Sequence, residues 1–148
     1  MALSRDIEVL RRTDLFSGFT GDQLLLVAFT ARQIRLEPGE VLLRENDISE
    51  GAYVVAEGKL SLEAGGSSCG IAGPGSVLAE VALVSPIAHR LTAMADLRSE
   101  IFFIGREAFI KLVGEYPDIG EAMDRRLRQG FAEMVSALDS VRTRLSDF

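Results

Sequence analysis

At 148 residues, with 47% apolar and 26% charged side chains, the chain has the composition of an ordinary globular protein that can bury a core without disulfides. Its net charge of −6 argues against non-specific nucleic-acid binding, which needs a basic face. One histidine and one cysteine leave almost no room for a His- or Cys-based metal site, and none for an internal disulfide.

Met1-Ala2-Leu3 runs straight into Arg5-Asp6, so no secretory signal is expected. Ser4-Arg5-Asp6 can start a helix with Ile7 and Leu10 on its apolar side, ending near Thr13. Thr20-Gly21-Asp22-Gln23 has the form of a capping box, and the helix it opens carries Leu24–Phe29. That helix is apolar nearly all round, which predicts thorough burial, and the run is far too short to span a membrane.

From Arg32 the period changes from helix to strand. Ile34 and Leu36 alternate with polar neighbours, Pro38-Gly39 turns the chain, and Val41–Leu43 reads as the next strand. Glu45-Asn46-Asp47 is a loop, Tyr53–Ala56 a strand, Glu57-Gly58 a tight turn, and Leu60 and Leu62 mark a further strand. Gly65–Ser68 reads as a loop and Ile71-Ala72 as a weak strand. The lone Cys69 fits a small core or loop position and a reducing, cytoplasmic compartment. Gly73–Ala93 then combines a Gly-Pro-Gly turn, the short apolar segment Val77–Val84 interrupted by Glu80, and His89-Arg90. A carboxylate, a turn leading into a short helix, and a cation within one segment suit a ligand with hydroxyls and negative charge.

Leu91–Ala95 and Ser99–Ile104 are two more strands, so many short strands with regular turns predict a sandwich or barrel. A helix from Arg106 stops around Tyr116-Pro117, and Asp118 is the expected N-cap of a last helix. Its stripe of Ile119, Met123, Leu127, Phe131, Met134, Leu138, Val141 and Leu145 is long enough to predict a dimerising coiled coil. Two parts are therefore expected, residues 1–117 and the C-terminal helix 118–148.

In order along the chain, several stretches make a familiar set: Leu15-Phe16 with Asp22-Gln23-Leu24, Leu36–Leu42, Glu45-Asn46-Asp47, Gly51–Val55, Glu57–Leu60, Gly73-Pro74-Gly75 and Leu78–Leu83. Over roughly residues 7–140 the chain resembles the cyclic-nucleotide-binding domain family, the catabolite-activator-type β-roll with its phosphate-binding cassette. The resemblance implies a mainly β fold with flanking helices, a double-stranded β-helix (jelly-roll) barrel between N-terminal helices and a long C-terminal helix. It implies a regulatory sensor for cAMP or cGMP, with no further cofactor. The implied ligand-binding residues are Leu78, Ala79, Glu80, Val81 and Ala82 on the cassette, then His89, Arg90, Leu91 and Thr92. Glu80 matches the family's ribose-binding glutamate, Ala79 stands in place of a glycine, and His89 stands where the phosphate-binding arginine is expected, with Arg90 one step later.

A second reading is a degenerate domain that has lost its ligand and serves as a dimeric interaction module for an unknown protein partner. A DNA-binding regulator would need a helix-turn-helix after the long helix, which the sequence to Phe148 does not contain. A metal-dependent cupin-like enzyme would need several histidines, and a serine-histidine triad could use only His89, without a Gly-x-Ser-x-Gly elbow. No catalysis, nucleic-acid partner or membrane partner is expected.

Overall fold

The structure is a computed structural model and describes residues 2–129. Helix α1 (Ala2–Arg11) buries Leu10, and its Arg5 guanidinium reaches the Glu100 carboxylate at 2.9 Å. Helix α2 (Gly21–Thr30) starts on the expected capping box: the Gln23 N–H donates to the Thr20 hydroxyl at 3.2 Å, and the Thr20 N–H to the Gln23 side-chain oxygen at 2.9 Å. The expectation of thorough burial for α2 fails on one side. Leu24, Val27 and Ala28 are buried, but Phe29 is 69% exposed. The helical period turns Phe29 away from that buried face, and an apolar side chain creates no second surface to cover it.

Among the described residues ten strands follow: β1 (Arg32–Leu36), β2 (Val41–Leu43), β3 (Ile48–Ser49), β4 (Gly51–Glu57), β5 (Leu60–Ala64), β6 (Ser67–Ala72), β7 (Val77–Leu78), β8 (Ile87–Ala88), β9 (Thr92–Ala95) and β10 (Ser99–Gly105). They form two four-stranded antiparallel sheets, ordered β1-β10-β4-β7 and β2-β9-β5-β6, plus the ribbon β3-β8. Strand β6 begins inside the stretch read as a loop. The turn is only Gly65-Gly66, both in the left-handed region at φ 61° and 81°. Cys69 is accordingly an exposed strand residue rather than a core or loop one.

The β4–β10 pair is the hub of the fold. Val54 faces Phe102 and Ala52 faces Ile104 in register, and these side chains pack toward the helices. Val55 and Ile101, also paired, point the other way against Leu36, Leu43, Leu60, Ala93 and Ala95 between the sheets. Because both faces are covered, β4 reads as an unbroken apolar run rather than an alternation.

A short 3-10 helix, Glu80–Leu83, links β7 to β8 and buries Leu83 among Phe109, Leu112, Ile119 and Met123. Helix α3 (Arg106–Glu115) ends at Tyr116, and α4 (117–129) begins at once. Asp118 is therefore inside the first turn of α4 and not its N-cap, because Pro117 with its fixed φ already serves as the first helical residue. The Asp118 carboxylate instead accepts a hydrogen bond from the Gln23 amide at 2.7 Å. Ile119, Ala122 and Met123 pack into the helix-side core, so the start of α4 belongs to the same core as the barrel. The remainder of the expected dimerising stripe, Phe131 to Leu145, lies outside the described residues.

Candidate ligand-binding site

The two halves of the Gly73–Ala93 segment meet across one cleft of about 160 Å³. One wall is Leu78 and Ala79 at the end of β7, the other is the run Ile87–Leu91, and Leu43 of β2 closes the floor. Ala79 sits at φ 59°, ψ 41°, a left-handed conformation that costs a non-glycine residue roughly 1–2 kcal/mol. That turn ends β7 and points the chain into the 3-10 helix, which is why the family's glycine suits this place.

The other wall is fixed by the β3-β8 ribbon, in which Ile48 faces Ala88 and Ser49 faces Ile87. Beyond it, the His89 N–H donates to the Asp47 carbonyl at 2.8 Å, and the Asn46 N–H donates to the His89 carbonyl at 2.8 Å. Asn46 lies at φ 74°, the left-handed conformation that its short polar side chain tolerates. These bonds carry the His89 ring inward, where only 8% of the residue is exposed and the ring lies 6.1 Å from that of Tyr53. Burial lowers the imidazole pKa below its ordinary 6.5, and the Asp47 carboxylate opposes part of that shift. Burial therefore disfavours the charged form of the ring.

The candidate residues divide between places. Leu78, Ala79, His89, Arg90 and Leu91 border the cleft; Arg90 is largely exposed while His89 is buried. The two neighbours thus differ in burial although both border the cleft: His89 is buried, and Arg90, in the bend between β8 and β9, is exposed. Thr92 is half-buried at the head of β9, and its hydroxyl accepts the Glu45 N–H at 3.0 Å. Val81 is exposed and Ala82 buried, and neither lines the cleft. Glu80 is exposed and borders a neighbouring cleft with Arg12, Ser76 and Arg126. It makes no hydrogen bond or ion pair among the described residues, including with Arg90.

Leu43, Ile87 and Ala88 were not among the residues expected at the cleft. Leu43 could have been placed there as the inward end of a strand. Ile87 and Ala88 form a strand only through pairing with β3, which two residues cannot announce. Among the described residues, no group of three or more His, Cys, Asp and Glu side chains could hold a metal ion. No helix there is long and apolar enough to cross a membrane.

This architecture recurs in known proteins. The N-terminal domain of a transcriptional regulator from Streptomyces coelicolor superposes with a TM-score of 0.82 at 23% identity, over 87% of this chain and 96% of that one. A cyclic nucleotide-binding-like protein from Brucella abortus is 33% identical, with a TM-score of 0.67, over 74% of this chain and 97% of its own. Human cyclic nucleotide-gated channel alpha-2 is 24% identical over 139 residues, which is 87% of this chain but 21% of the channel. The chain thus spans about a fifth of the length of the curated relatives it matches. The family model described as cyclic nucleotide-binding domain matches residues 33–116, from β1 through the cleft to the end of α3. With more than half of its length so matched, the chain belongs to the cyclic nucleotide-binding domain family.

Proposed function

We propose that this chain is a regulatory module that takes cAMP or cGMP in the cleft between Ala79 and His89, and that it is not an enzyme. The observation that carries this reading is the juxtaposition of the cassette turn at Leu78-Ala79 with His89 across one cleft. In this reading the cyclic phosphate lies beside His89 and favours the protonated imidazole. Glu80 reaches the ribose by turning its side chain from the neighbouring cleft, where no partner among the described residues holds it. Sites for small organic ligands commonly enclose roughly 300–1,000 Å³, and this cleft has about 160 Å³, so occupancy requires the cassette to move outward. Leu83, packed with Phe109, would carry that motion to α3 and α4. Ligand shifts these helices only by its differential affinity for the two arrangements. The part of the apolar stripe not used by the core, Phe131 to Leu145, provides the homodimer contact in this reading, and the cytoplasm supplies the ligand.

A second reading, the ligand-free interaction module, is favoured by the position of Glu80 outside the cleft and by the mostly apolar walls. An amide NMR titration of the full chain with cAMP and with cGMP separates the two. Shifts at Leu78, Ala79, His89 and Leu91 that saturate with either nucleotide support the sensor. Unchanged spectra at millimolar nucleotide support the module.

A further inference from the structure

We propose that Arg106 is the positioning residue that latches the cassette's 3-10 helix to the start of α3 and to β3. Arg106 is the first residue of α3, where the helix dipole disfavours a cation. Its guanidinium is directed elsewhere. The Nη1 group donates to the Ser49 carbonyl at 2.9 Å and to the Ala82 carbonyl at 3.0 Å. Its backbone N–H donates to the Glu50 carbonyl at 2.7 Å.

The two ends of this latch differ. Ser49 is held in place by its pairing with Ile87, and its hydroxyl donates to the Gly51 carbonyl at 2.7 Å. Ala82 lies on the segment that must move for the cleft to widen. The amides of Val84 and Ser85 both go to the Val81 carbonyl, so the Ala82 carbonyl is left to Arg106. Ala82 is fully buried, so no water replaces that bond if it is lost. A bond from a charged donor to a buried carbonyl is among the stronger ones available to the chain. Arg106 thereby ties three elements: β3 fixes the strand that leads to His89, the 3-10 helix follows Ala79, and α3 leads on to α4. Outward motion of the cassette either stretches this bond or draws the start of α3 with it. The latch belongs to the ligand-free chain and stands apart from what the cleft takes.

Amide hydrogen exchange of the full chain without nucleotide tests it, with Arg106→Met and Arg106→Lys compared with the parent. In Arg106→Met, protection of the Ala82, Val84 and Ser85 amides should fall by about tenfold or more, while paired amides of β4 and β10 keep theirs. Arg106→Lys, whose ammonium can still reach one carbonyl, should recover part of the loss. Unchanged protection at those three amides overturns the proposal. So does an equal loss across all elements, which would make Arg106 a contributor to general stability only. If Arg106→Met does not fold, Arg106→Lys against the parent reads the same contrast: selective loss at the three amides supports the latch, and no loss or uniform loss overturns it.

Discussion

The main-chain N–H of His89 is bonded to the carbonyl of Asp47 at 2.8 Å, which fixes a buried imidazole behind an exposed carboxylate loop. Burial dominates and lowers the pKa of the ring below 6.5, with Asp47 opposing. The sign follows from proton counting: as pH falls below about 6.5 the unfolded chain takes up the imidazole proton before the folded one does. Unfolding free energy should therefore drop between pH 7 and pH 5, and this drop should be shallower in His89→Gln. Urea unfolding at a series of pH values measures both. Identical pH slopes for parent and variant would mean that the ring is not held neutral.

Ala79 holds a left-handed conformation that glycine adopts without steric cost. Relieving roughly 1–2 kcal/mol of strain is partly offset by about 0.5–1 kcal/mol of added freedom in the unfolded chain. Ala79→Gly should stabilise the protein by about 0.5–1 kcal/mol, or about 1–4 °C in melting temperature for a chain of this size. Differential scanning calorimetry checks it, and a lower melting temperature would show that the left-handed turn carries no strain.

Gly58 turns β4 into β5 at φ 99°, and a Cβ added there would run into the Cα and Oγ of Ser99. Ser99 cannot yield easily, since its hydroxyl accepts the Lys59 N–H at 3.1 Å and donates to the Leu97 carbonyl at 2.8 Å. Gly58→Ala should cost about 2 kcal/mol or more, through backbone strain and overpacking together. Chemical denaturation should show the midpoint falling without a change in slope. A loss under about 0.5 kcal/mol would mean that the turn relaxes freely.

The parts of the fold that the sequence foretold are those with local chemistry. Thr20 and Gln23 cap α2 through atoms only three residues apart, and Glu57-Gly58 and Pro38-Gly39 turn where glycine supplies a positive φ. Strands β4, β5 and β10 are long enough for composition and alternation to act. What stayed hidden depends on partners far along the chain. The two-residue strands β3 and β8 exist only by pairing with each other, and Asp118 lost the N-cap position to Pro117. At the site, the sequence offered His89 and Arg90 as neighbouring candidates for the position of the family's arginine, only one of which is buried. It could not say which, because the bonds from Asn46 and to Asp47 decide it. Arg106 gave one signal, a cation at a helix start, whose use emerges only when Ser49 and Ala82 are brought beside it.

If Glu80 turns to meet a ribose hydroxyl, its loss should be felt in binding although it lies outside the ligand-free cleft. A hydrogen bond to a charged group is worth about 1.5–3 kcal/mol, so Glu80→Ala should weaken nucleotide binding by roughly one to two decades. Competition against a fluorescent cyclic nucleotide reads this directly. Equal affinity in parent and variant would place the ribose away from Glu80.

The most direct test is calorimetric titration of the full chain with cAMP and cGMP at pH 6.0 and 7.5, beside His89→Gln. An anionic phosphate against a ring of lowered pKa must draw a proton onto it. Binding should therefore be tighter at pH 6.0 than at 7.5, with proton uptake that is absent in His89→Gln. Binding that is tight and equal at both pH values would contradict phosphate contact at His89, and no heat with either nucleotide would contradict the sensor itself.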